Sequence, residues 1–227
     1  MNTKTILVTA LTAGSLFAQA PEKELDARIQ VFGEMIRPLA VTLSNGEKPE
    51  AQRSLGLGMR FMGEVSSAPN WYYEVGGKLD SSSNMTLANA NVNLQDVKVT
   101  QSYWAVGTGY LVPMGKAFSL GFHLEGRGEA LAAQGSVIVI VTSATGTSTS
   151  TTPLSVNTTY LRPWARVTLD GDFHLGSLRS FVGLELAGTP VKTSQTTPLA
   201  NPSAMDNRTL RAMAPSVAAA FYLGMHL

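Results

Sequence analysis

The sequence contains no cysteine. That absence excludes disulfides, thiolate metal sites and a lipid-attachment cysteine. Charge is also sparse: 15% of residues are Asp, Glu, Lys or Arg and the net charge is +1, which gives no electrostatic basis for binding nucleic acid. Histidine is limited to His123, His174 and His226, with no His-x-x-x-His spacing, so no metal site is indicated. No glycine-rich loop is placed to cradle a phosphate. Gly56-x-Gly58 and Gly107-x-Gly109 fall inside strands, where glycine relieves crowding, and no cofactor is expected. Apolar runs are short everywhere, and none approaches the ~20 residues of a membrane-spanning helix.

What the chain does have is 21 glycines, abundant Ser and Thr, and period-two alternation, a profile of short strands and loops. The first twenty residues read as a signal peptide (1–20). Lys4 supplies the positive charge, residues 6–17 are mostly apolar, and Ala18-Gln19-Ala20 has the small-x-small form. The remainder, 21–227, is compatible with one all-β domain.

The stretch 217–227 sets the pattern. Val217, Ala219, Phe221, Leu223, Met225 and Leu227 share one parity and are all apolar; Ala218, Ala220, Tyr222, Gly224 and His226 share the other. Side chains on a strand alternate faces, so this is a strand with one oily and one mixed face. Seven more segments repeat it. Ile29, Val31, Gly33 and Met35 oppose Gln30 and Glu34. Leu55, Leu57, Met59 and Phe61 oppose Ser54, Gly56, Gly58 and Arg60. Trp71, Tyr73, Val75, Gly77 and Leu79 oppose Tyr72, Glu74, Gly76, Lys78 and Asp80. A strand over about 97–112 has ambiguous facing, because Tyr103 and Trp104 compete for one side. Phe118, Leu120, Phe122 and Leu124 then oppose Ser119, Gly121, His123, Glu125 and Arg127. Leu161, Pro163, Ala165, Val167 and Leu169 oppose Arg162, Trp164, Arg166 and Thr168, and Val182, Leu184 and Leu186 oppose Phe181, Gly183 and Glu185.

The connections alternate in length. Those at 37–52, 81–95, 128–158 and 189–208 are long and polar; those at 66–70, 113–116 and 174–177 are short turns. Eight strands with every long loop at one end predict an antiparallel up-and-down transmembrane β-barrel, with short periplasmic turns and longer outer loops. Charge parity then separates inside from outside. Glu34, Arg60, Glu74, Lys78, His123, Glu125, Arg127, Arg162, Arg166 and Glu185 all oppose the apolar parity of their strands. They predict a polar lumen crossed by salt bridges, since an unpaired buried charge costs several kcal/mol. Trp71, Tyr73, Tyr103, Tyr110, Phe118, Phe173 and Phe221 are expected at the interfacial girdles.

With its export signal, eight-strand rhythm and terminal run Phe221-Tyr222-Leu223-Gly224-Met225-His226-Leu227, the chain resembles the small eight-stranded outer-membrane barrels of Gram-negative bacteria, the OmpA-transmembrane, OmpX and OmpW kind. The resemblance implies a monomer in the outer membrane, in contact with lipopolysaccharide and phospholipid. It also implies that the barrel-assembly machinery reads Phe221, Leu223, Met225 and Leu227. Members usually end in an aromatic residue; this chain ends in Leu227. The expected role is structural or surface-interactive, through the outer loops. The alternatives are a narrow pore, a carrier of small hydrophobic compounds, or a lipid A-modifying enzyme. No catalytic set is apparent for the last. His123 has Glu125 on its face but lacks the His-x-Ser-Asn run that such deacylases carry, and Ser119 lies roughly 13 Å along the strand. Residues 137–141 are apolar and precede a Ser/Thr tract. They are expected to extend the fifth strand into a hairpin; an apolar edge that pairs with a partner strand is the lesser alternative.

Overall fold

The computed structural model describes residues 25–36, 50–88, 92–191 and 214–227. The export segment at 1–20 lies outside them, as do most of the connections at 37–52 and 189–208. The strands are β1 (Ala27–Ile36), β2 (Glu50–Ala51), β3 (Ser54–Val65), β4 (Ala68–Ala88), β5 (Val92–Met114), β6 (Phe118–Ser143), β7 (Gly146–Leu175), β8 (Leu178–Gly188) and β9 (Val217–His226). Pairing follows the order β2-β4-β3-β1-β9-β8-β7-β6-β5, and an additional β4–β5 pairing closes the sheet. β2 is a two-residue addition to β4. The other eight strands are the staves of a closed antiparallel barrel, in which each stave is paired on both sides and the polar backbone is satisfied without water.

The seam joins the first and last staves, from Arg28 opposite His226 to Ile36 opposite Ala218. The Leu227 amide donates to the Ala27 carbonyl at 2.7 Å. The short turns fall where glycine and proline mark them. Gly115 and Gly176 adopt φ of 83° and 65°, the left-handed conformation that glycine enters without steric cost. Pro163 sits in β7 opposite Gly126 of β6 and beyond the last β7–β8 pair, Ala165 opposite Gly188.

Alternation places the apolar parity outward. Leu161, Leu55 and Leu124 are 73%, 69% and 65% exposed, whereas Arg127 and Arg166 are 1% and 2% exposed. A wall this oily around a charged interior is stable only against lipid. Trp71 packs on Tyr110 at 5.1 Å near the short-turn end, with Phe118 and Phe173 also facing out, as an interfacial girdle requires. Tyr103 departs from the expectation. It points inward and is 8% exposed, and Trp104 takes the outer face.

Two long connections prove to be largely strand. β4 runs on to Ala88 and β5 starts at Val92, so most of 81–95 is not loop. The reason is a β-bulge: Lys78 pairs with Tyr103 but Ser81 with Gln101, which inserts one residue and reverses the facing. Asp80, expected inside, is therefore exposed beside Leu79, and Ser81, Ser83 and Met85 turn inward. β6 and β7 stay in register from Phe118 opposite Gly171 to Ser143 opposite Gly146, a hairpin far taller than the bilayer. The apolar run 137–141 is paired on both sides as far as Val139, and among the described residues Ile140 and Val141 pair with β7 alone. Val139 pairs with Val92 on one side and Ser150 on the other.

Candidate functional site

The inward faces of the staves build a buried polar network. The ten lumenal residues read from charge parity are all buried: Glu34, Arg60, Glu74, Lys78, His123, Glu125, Arg127, Arg162, Arg166 and Glu185. At its centre Arg166 spans three carboxylates. Nη1 reaches Glu185 at 2.6 Å, Nε reaches Glu125 at 3.0 Å, and Nη2 bonds Glu74. Arg60 adds a second contact to Glu185 at 2.9 Å and donates to Gln30 at 3.0 Å. Arg127 bonds Glu125 through Nε and Glu34 through Nη1 at 3.2 Å. Lys78 reaches the other oxygen of Glu34 at 3.2 Å.

A second layer lies nearer the tall hairpin. Arg162 grips Glu129 through Nε at 2.7 Å and Nη2 at 3.1 Å, and Trp164 Nε1 donates to the same carboxylate at 2.8 Å. Guanidinium and ring planes stack across the lumen. Arg127 lies 4.2 Å from the centres of both Tyr103 and Trp164, and Arg162 lies 5.2 Å from Trp164 and 5.1 Å from Tyr160. Charged side chains that have left water thereby gain both ion partners and π faces.

Among the described residues the buried acids are Glu34, Glu74, Glu125, Glu129, Asp170 and Glu185. The buried permanent cations are Arg28, Arg60, Lys78, Arg127, Arg162 and Arg166. The interior is balanced, and the wall around it is apolar. The chain is an eight-stranded β-barrel of the transmembrane type. No protein-family model matches it, and no curated protein does. Among solved structures it is similar to Ail, the attachment invasion locus protein of Yersinia pestis. Identity there is 9% over 89% of this chain and 97% of that one, with a TM-score of 0.47. It is also similar to OprG from Pseudomonas aeruginosa, at 11% identity over 89% and 95% with a TM-score of 0.47. A third is neisserial surface protein A, at 6% identity over 90% and 97% with a TM-score of 0.38. The assignment stands on the closed strand order and on which side of the wall carries charge.

Sequence reasoning missed several members of the barrel's network. Glu129 lies in what reads as a long connection, Arg28 just before the first alternating run, and Asp170 just after the run that ends at Leu169 although β7 continues to Leu175. Of the inward aromatics, Tyr72, Phe181 and Tyr222 were legible only as members of the mixed parity, Phe32 was not singled out, and Tyr103 was expected at the girdle. The partner of His123 also differs from the one expected. Glu125 is spent on Arg127 and Arg166, and His123 Nδ1 bonds Glu74, one barrel wall away on β4. His123 Nε2 lies 3.0 Å from Thr168 Oγ1. The order hydroxyl–imidazole–carboxylate is that of a catalytic triad. Here it is enclosed by Arg166 and the filled lumen, and all three residues are buried.

A third cluster closes the short-turn end. Asp26, just ahead of β1, accepts from His226 Nδ1 at 2.5 Å, Arg28 Nε at 2.7 Å and Tyr72 Oη at 2.8 Å. His226 Nε2 faces Asp172 at 3.4 Å, and Tyr222 donates to Asp170. Burial pushes the Asp26 carboxyl up, but the bond to His226 and the Arg28 guanidinium outweigh it and hold the group well below the usual carboxylate range.

Above the charged layers the lumen turns apolar: Ile36, Met85, Val97, Val99, Leu131 and Leu154 are all buried. Between the two regions lies a cavity of about 20 Å³, lined in part by Glu34, Lys78, Gln101, Arg127 and Glu129. That is space for about one water.

Proposed function

We propose that the barrel is a sealed, non-catalytic mount that holds the β6–β7 hairpin above the outer leaflet, where it meets a surface partner. The observation that carries this reading is the combination of a filled lumen with an unbroken hairpin register. Arg166, Arg127 and their carboxylates interlock the staves and make the wall rigid. The outward apolar face of β7 gives way above Leu161 to Thr159, Asn157 and Ser155, and the strand then continues to Gly146. Ser148, Thr149, Ser150 and Thr151 are exposed. They offer hydroxyls on a preformed β scaffold, which limits the ordering cost of binding.

In this account residues 1–20 direct export, and the barrel is a monomer bathed by lipopolysaccharide and phospholipid. The outward residues Phe221, Leu223, Met225 and Leu227 are the face that the assembly machinery reads. Replacing residues 137–152 by a two-residue turn tests the role. The shortened protein keeps its heat-modifiable migration and loses surface binding by whole cells. Unchanged binding by cells carrying it would count against the hairpin as the working part.

A second reading, carriage of small hydrophobic compounds, draws on the apolar layer of Ile36, Met85, Val97 and Leu131. Those side chains fill the layer themselves, and the charged layers lie beneath it.

A further inference from the structure

Residues 214–216 precede β9 and do something that a surface connection ordinarily avoids: they turn into the barrel. Ala214 has 0% exposure, and Pro215 is buried beside it. A buried loop leaves backbone groups that need partners. Proline has no amide to satisfy, so Pro215 brings in a carbonyl alone. That carbonyl accepts from Arg162 Nη2 at 2.6 Å. The same guanidinium is held by both oxygens of Glu129. At the other end the segment is tied to the residue after β8 by Thr189 N donating to Ser216 O at 3.0 Å.

Pro215 is also part of the roof of the 20 Å³ cavity. Two donors of residues lining that cavity, Arg127 Nη2 and Gln101 Nε2, have no hydrogen-bond partner, and both side chains are nearly fully buried. The segment therefore covers a polar void whose own walls would welcome water. We propose that residues 214–216 form a strap over the hairpin-side end of the charged lumen, with the Arg162–Glu129 pair as its catch. While the catch holds, the void stays isolated. When the guanidinium lets go of the Pro215 carbonyl, the strap lifts and water reaches Arg127 and Gln101.

The inference rests on the sealed lumen proposed above. A steady conductance of the unmodified barrel would sink that reading, whereas the strap is tested by thiol accessibility. The absence of native cysteine makes a single introduced thiol a clean reporter. Ala214→Cys and, separately, Ser216→Cys are made in the full-length barrel in detergent micelles. Each is reacted with a bulky hydrophilic maleimide, with and without Glu129→Gln. Arg162→Lys is run in parallel, because it keeps the lumenal charge while losing the planar fork. Heat-modifiable migration of every variant checks that the barrel is closed. The proposal expects slow labelling at Ala214→Cys, and a rise of about tenfold or more when either catch residue is changed, as the loss of a charged hydrogen bond implies. Equal rates with and without an intact catch, or fast labelling before it is altered, would overturn it.

Discussion

Arg166 shows at the scale of one residue how the lumen is held. Its guanidinium serves Glu74, Glu125 and Glu185 from three staves. Arg166→Ala leaves three buried carboxylates short of a partner and is expected to destabilise the barrel by about 3–5 kcal/mol, read as a lowered urea midpoint in micelles. Arg166→Lys should recover little of it, because one ammonium cannot bridge three carboxylates. Asp26 offers a pH test. Its carboxyl is depressed in the folded state, so the stabilisation it gives is present above the ordinary carboxylate pKa and is lost as pH falls below it. Asp26→Asn should flatten the acid side of the stability profile from pH ~5 downward. A profile that superimposes on the parent's would remove Asp26 from the account. At this scale the sequence was readable wherever charge and parity agreed. Glu34 and Arg60 were placed inside by alternation alone, but the pairing of His123 with Glu74 was not legible, because partners across a lumen are set by strand register rather than by spacing along one strand.

The elements were readable where alternation was unbroken and obscured where it slipped. β6, β7 and β9 keep one parity across the membrane, so their faces followed directly. β4 does not. The extra residue between Lys78 and Ser81 makes two apolar-then-polar patterns of opposite phase, which read together as a polar loop. Deleting Asp80 removes the bulge and leaves Ser81, Ser83 and Met85 facing inward, in a continuous ladder with β5. The expected result is an undiminished yield of heat-modifiable protein, and a lost upper barrel in protease mapping would contradict the bulge as the cause of the slip. The seam makes the second prediction. Leu227 is 68% exposed on the lipid side, so Leu227→Phe is tolerated or improves assembly. Deleting residues 221–227 removes the pairs from Gly33–Phe221 to Arg28–His226 and should abolish insertion. Efficient insertion of the truncated chain would show that β9 is not the closing stave.

For the whole molecule, the fold was legible because a bilayer imposes its solvent on the entire wall at once, and every stave repeats the same choice. The purpose of the lumen was less legible, since a count of charges does not reveal whether they interlock. Glu129, Asp170 and Arg28 complete the balance of acids and cations, and apolar side chains lie above them on the hairpin side. The central claim is that this interior is closed. Single-channel recording of the purified, unmodified barrel in a planar bilayer tests it most directly. A baseline without steady conductance is the predicted result, and a persistent open level would contradict the account.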